Sequence, residues 1–280
     1  MVDLSRLWVA EWIVCGFFFY LVVLSLLLPL RARHRLRILT TGMVSVGLAV
    51  MLSQLRLSLQ LEVVRDWLPA IYLFQGYLLC GFFVPRPMSA MEKWLLDLDQ
   101  KLFRYARLTS LLTGVTRTRR LALEFFELAH LIVYPMVPLC FGIFLFHGEH
   151  YDADNFWTAV LIAGYGCYGL LPWIRLRPPR NIERAQPAHS GLSFRRLNLC
   201  VLERGGIVPV NTFPSGYASQ AIAAALAVLM VDSVTGLMFL VLTSCIVFAM
   251  VLGRYHYAID SLLCVVVGVI GWWVGFRSAI

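Results

Sequence analysis

The sequence predicts an all-α fold, a polytopic transmembrane helical bundle, and three observations carry that prediction. The 280-residue chain is 60% hydrophobic and 14% charged, with a mean hydropathy of +0.75, whereas ordinary soluble domains are about 45–50% apolar and about 25% charged. A surface so poor in charge cannot cover a water-soluble molecule of this size, which excludes a soluble globular enzyme, a disordered tail and a fibrous repeat. Eight apolar stretches reach or approach the roughly 20 residues that a spanning helix needs. The remaining charge is lopsided, 24 Lys and Arg against 16 Asp and Glu for a net +8, and in a membrane protein that excess is first a topology signal and not a nucleic-acid footprint.

The stretches run roughly over 8–30, 38–59, 67–85, 121–146, 155–174, 214–231, 234–252 and 257–276. The first carries Glu11 near its start and lacks a basic leader and a small-residue cleavage site, so it is expected to be a retained span and not a signal peptide. The second is the weakest, because Gln54, Arg56 and Gln60 interrupt its far end. Polar connections are short around 60–66, 147–154 and 232–233 and long over 86–120 and 175–213. Within the first long connection, Met91–Arg107 alternates Trp94, Leu95, Leu98 and Phe103 with Glu92, Lys93, Asp97, Asp99, Lys101 and Arg104, the pattern of an amphipathic helix on the bilayer surface. No internal repeat or low-complexity tract is evident. Residues 1–120 therefore read as N-terminal spans plus this surface helix, and 121–280 as a transmembrane core.

Eight spans place the loops on alternating sides. One side receives 31–37, 86–120, 175–213 and 253–256, with 20 of the 24 basic residues; the other keeps Arg6, Arg56, Arg65 and Arg277. The positive-inside rule puts the basic side in the cytoplasm. Six of the seven cysteines lie inside apolar stretches and Cys200 lies in a polar loop. No CxxC pair or Cys/His metal spacing occurs, so buried small hydrophobes are expected and no metal or other cofactor is implied.

Three polar segments stand out, and parity brings all three to one membrane face. The first is Arg175-Leu-Arg177-Pro-Pro-Arg180, after the fifth span; the second is Pro214-Ser215-Gly216-Tyr217, opening the sixth; the third is Gly253-Arg254-Tyr255-His256-Tyr257-Ala258-Ile259-Asp260, between the seventh and eighth. A helix start such as Ser215–Gly216 offers unpaired N–H groups and a positive dipole end to an anion. His256 and Asp260 are four apart, on one helix face, where a carboxylate can fix an imidazole tautomer and stabilise its cation. Arg177, Arg180 and Arg254 are candidate phosphate forks. Together these residues suit a phosphate site with an activated nitrogen nucleophile and no metal. Two further clusters are weaker. His147, Glu149, His150, Asp152 and Asp154 crowd a loop on the opposite face. Glu124, Glu127 and His130 share a face near the start of the fourth span, on the motif side, suited to helix-interface packing or to pairing with nearby arginines.

On these motifs the chain resembles the type 2 phosphatidic acid phosphatase superfamily, more narrowly its bacterial branch near the inositol phosphorylceramide synthases. The superfamily pattern is KxxxxxxRP, then Pro-Ser-Gly-His, then SRxxxxxHxxxD. The resemblance covers about 121–276, with the RPPR string at Arg177–Arg180, Leu170 at the lysine position, and the shorter form of the last motif at Arg254, His256 and Asp260. It implies a six-helix core plus about two N-terminal spans, a bacterial inner-membrane location, and a lipid phosphate or diphosphate as substrate. It implies His256 as nucleophile, Asp260 as its orienter, Arg177, Arg254 and more weakly Arg180 on the phosphoryl oxygens, and Ser215 with the Gly216 N–H completing the cradle. The middle motif departs from the family: Tyr217 stands where the acid histidine is expected, and a phenol titrates near 10 against about 6.5 for imidazole. Three readings follow: a slow or specialised phosphotransferase, a phospholipid-binding or transporting protein that lost catalysis, or recruitment of another acid such as His189. A purely structural membrane subunit is a further alternative.

Overall fold

In the computed structural model, residues 3–55, 58–83, 87–105, 116–147, 153–183, 191–204 and 213–277 are described. Among them the regular structure is helical, without a strand, and comprises ten α-helices. These are α1 (Val9–Leu27), α2 (Ala32–Gln54), α3 (Leu59–Cys80), α4 (Ser89–Tyr105), α5 (Arg117–His147), α6 (Ala153–Tyr168), α7 (Ser193–Arg204), α8 (Gly216–Val231), α9 (Ser233–Leu252) and α10 (Ala258–Phe276). Five of them, α1, α2, α5, α9 and α10, are long and apolar enough to cross a membrane, and α8 is apolar but shorter.

The boundaries differ from the hydropathy reading where polar residues find partners. α3 begins eight residues before the expected span and carries Arg65 and Asp66 into the helix. Arg65 is matched there by Glu11 of α1 at 2.6 Å, and the Asp66 carbonyl accepts the Trp157 indole N–H at 2.6 Å. α2 ends at Gln54, whose side chain exchanges two hydrogen bonds with the Asp3 backbone, at 2.7 and 2.8 Å. The fifth stretch, expected to run to 174, stops as a helix at Tyr168. The region around Cys200, read as polar loop, forms α7. Glu124 explains its start: its two carboxylate oxygens accept the Ser193 and Phe194 N–H groups at 2.7 and 3.0 Å, satisfying donors that a helix start leaves open.

α6 lies at the centre. It packs against α10, α8, α1 and α3 and buries most of its residues, with Ile162 and Gly166 on its one partly open face, so it is apolar around most of its circumference, as a helix largely enclosed by others is. α10 approaches it through a glycine stripe. A Cβ on Gly271 would sit 2.5 Å from the Ala159 carbonyl oxygen, and one on Gly275 2.7 Å from that of Asn155. Small residues matter here because helices in lipid associate by close van der Waals packing and not by a hydrophobic drive. Asn155 Nδ2 donates to the Gly275 carbonyl at 2.8 Å, so the start of α6 meets the end of α10 and the two run antiparallel. One hydrophobic cluster joins Phe17 and Tyr77 to Tyr165, Ala221 and Met250; the core continues across the expected boundary at residue 120.

Candidate functional site

The C-terminal end of α6, the start of α8 and the turn between α9 and α10 meet at one end of the bundle, as the sequence parity requires. α9 ends at Gly253, and Arg254 adopts φ +57°, the left-handed region that costs a non-glycine residue about 1–3 kcal/mol. The turn is held from several sides. The Arg254 carbonyl accepts the Arg180 N–H at 3.1 Å. The Arg254 guanidinium, with its side chain 4% exposed, donates to Asp99 at 2.8 Å and to Glu183 at 2.8 Å. The other Asp99 oxygen accepts the Ala258 N–H at 2.9 Å, at the start of α10. Asp99 thus grips the chain on both sides of His256.

His256 Nδ1 lies 2.5 Å from Asp260 Oδ2. The other Asp260 oxygen accepts the Ser215 backbone N–H at 2.7 Å. One fully buried carboxylate therefore orients the imidazole and anchors the start of α8. Because a carboxylate accepts, Nδ1 carries a proton, and in the neutral form of the ring the lone pair lies on Nε2. Ser215 caps α8, its hydroxyl accepting the Ala218 N–H at 3.5 Å. Gly216 permits close approach: a Cβ there would lie 2.2 Å from the Tyr168 ring. Tyr217 is half-buried among tyrosines, with ring centroids 5.2 Å from Tyr77, 5.8 Å from Tyr134 and 6.4 Å from Tyr168.

The three candidate arginines differ in their surroundings. Arg177 is matched by Glu92 of α4, through Nε at 3.1 Å, a terminal nitrogen at 2.7 Å and the backbone N–H at 2.8 Å. Burial opposes ionisation of Glu92, but the Arg177 hydrogen bonds and charge outweigh it and hold the carboxyl below its usual range. Arg254 is engaged by Asp99 and Glu183. Arg180 has no carboxylate partner among the described residues; its guanidinium lies 4.9 Å over the Tyr255 ring. Burial, followed by the neighbouring Arg195, pushes its pKa down against the opposing influence of Tyr255 and Glu127, so a bound anion would favour its charged form.

The sequence reading missed the acidic side of this site. The sequence predicts an amphipathic α4 on the bilayer surface, and its Glu92, Leu95, Leu96 and Asp99 form a buried stripe against the motif segments, where Leu95 and Leu96 cluster with Leu176, Phe213 and Tyr257. Two acids on the apolar stripe of an amphipathic helix were the available signal. Glu127 pairs with Arg195 at 2.9 Å and accepts the Tyr255 hydroxyl at 2.6 Å. On the opposite face, Asp154 caps α1, accepting the Val9 and Ala10 N–H groups at 2.9 and 2.7 Å. No metal-binding group occurs among the described residues; Glu149, His150 and Asp152, like His189, lie outside them. Comparison with protein-family models, with curated proteins and with solved structures finds no match to this chain.

Proposed function

We propose that the protein is a membrane-embedded lipid phosphatase or phosphotransferase, with a six-helix core of the type 2 phosphatidic acid phosphatase kind and additional N-terminal spans. The observation that carries the reading is the Asp260 carboxylate, bonded at once to His256 Nδ1 at 2.5 Å and to the Ser215 N–H at 2.7 Å. It ties an oriented imidazole to a helix N-terminus beside the unpaired cation of Arg180. In the proposed reaction His256 Nε2 attacks phosphorus of a lipid phosphate or diphosphate, forming a phosphohistidine that passes the phosphoryl group to water or to an alcohol. Arg180 holds the phosphoryl oxygens. Arg177 joins it by exchanging Glu92 for phosphate, and Arg254 shapes the turn that carries the nucleophile. The Ser215 N–H already serves Asp260, which leaves the Gly216 N–H as the dipole-end donor. The charge asymmetry assigns this face to the cytoplasm.

A second reading, a family member that binds or carries phospholipid without turnover, draws support from Tyr217 and from the carboxylates already on Arg177 and Arg254. Assays of purified protein against phosphatidic acid, lysophosphatidic acid and isoprenyl diphosphate decide between them. Turnover lost in His256→Ala is the expected result. Equal rates in wild type and variant would sink the mechanism, and binding without turnover would favour the second reading.

A further inference from the structure

A leaving alkoxide needs a proton, and the residue at the middle motif is the phenol Tyr217. A second imidazole lies at this end of the bundle. His130 lies on α5, 5% exposed, with its ring stacked on Tyr255 at 4.2 Å and 17°. Tyr255 directly precedes His256, and Arg180 lies over the same ring at 4.9 Å. His130 and the unpaired arginine thus converge on the residue next to the nucleophile. Hydrogen bonds fix the imidazole's state. Asn198 of α7 directs its amide nitrogen to two Glu127 acceptors, the carboxylate at 2.7 Å and the backbone carbonyl at 2.8 Å. Its carbonyl oxygen is therefore the atom facing His130 Nδ1 at 3.0 Å, and it can only accept. Nδ1 carries a hydrogen, and Nε2 is the nitrogen able to gain and lose a proton. Glu127, Asn198 and His130 form a relay that orients the ring as a carboxylate would do directly.

We propose that His130 is the proton carrier of the site. The proposal rests on the phosphotransfer reading above. In the first half-reaction His256 Nε2 forms a bond to phosphorus as the bond from phosphorus to the alkyl oxygen breaks. That oxygen keeps the electron pair and takes the proton from His130 Nε2, which the negative charge of the bound phosphate favours in the imidazolium form. In the second, an oxygen of water or an alcohol bonds to phosphorus, the nitrogen–phosphorus bond breaks with its pair returning to His256, and His130 Nε2 takes the proton released by the acceptor. Both histidines end as they began.

The test compares wild type, His130→Gln and His130→Phe on two probes, lysophosphatidic acid, whose alkoxide needs a proton, and p-nitrophenyl phosphate, whose phenolate leaves without one. The glutamine variant can still bond Asn198, and the phenylalanine variant keeps the stack on Tyr255, so one preserves the polar contact and the other the packing; thermal unfolding checks both. Expected is a loss of about 10²–10⁴-fold on the lipid, with a nitrophenolate burst as in wild type. A nitrophenolate burst slowed as much as the lipid reaction would make His130 a packing residue and overturn the proposal, as would wild-type rates on the lipid in either variant. A wild type inactive on both probes would instead overturn the phosphotransfer reading, and this proposal with it.

Discussion

In the proposed site, Arg180 is the residue on which anion affinity would turn, because Arg177 and Arg254 already face carboxylates at 2.7 and 2.8 Å. Charge-assisted hydrogen bonds are worth about 1.5–3 kcal/mol each, so Arg180→Ala should weaken phosphate or vanadate binding about tenfold or more, read as a rise in the vanadate inhibition constant. An unchanged constant would move the anion site elsewhere. Tyr217 has the opposite expectation. If the proton travels through His130, Tyr217→Phe leaves lipid turnover close to wild type, and a deep loss would return the acid role to the phenol. His256, Asp260 and Ser215 were legible in the sequence because helix spacing and a helix start are local signals. The partners of the arginines were not, since Glu92 and Arg177 are 85 residues apart and Asp99 and Arg254 are 155 apart; no local period connects such pairs.

At the scale of elements, α4 is a clamp. Asp99 joins the Arg254 turn to the first residue of α10, and removing one member of a buried pair costs about 3–5 kcal/mol, so Asp99→Ala should lower the melting temperature and slow turnover together. Glu92 has a signature in pH. Its native pKa lies below the unfolded value, so its stabilisation is fully present above about pH 4.3 and is lost as pH falls through the lower native value. Melting curves of wild type should therefore fall more steeply on acidification than those of Glu92→Gln. Parallel curves would show that the pair contributes nothing. The helical periodicity of α4 was plain in the sequence, but what its apolar stripe covers was not, because an amphipathic face fits a bilayer and a protein surface equally well. α7 was missed because no long apolar run announces it; its start is set by Glu124, on another helix.

At the scale of the molecule, apolar composition agrees with an all-helical architecture in which five helices are long and apolar enough to cross a membrane, while the number of crossings is less directly encoded. α6 is 16 residues long, about 24 Å at 1.5 Å per residue and short of a core of about 30 Å, and its hydrophobic residues pack mostly against other helices. The close packing of α10 makes its own prediction. At Gly271 the obstacle is backbone, the Ala159 carbonyl oxygen at 2.5 Å, so Gly271→Ala should destabilise the bundle by about 1–3 kcal/mol, seen as a lower melting temperature. Orientation is tested at Cys200, which is partly exposed on α7 at the motif end. It should resist an impermeant thiol reagent in intact cells and react after permeabilisation; labelling in intact cells would reverse the charge-based assignment. The proposed reaction requires that His256 become covalently phosphorylated. Purified protein quenched in base after brief exposure to radiolabelled phosphatidic acid should carry an acid-labile, base-stable phosphate that maps to the peptide containing His256 and disappears in His256→Ala. Turnover of the lipid without such a label, or a label that persists in the variant, would contradict the account.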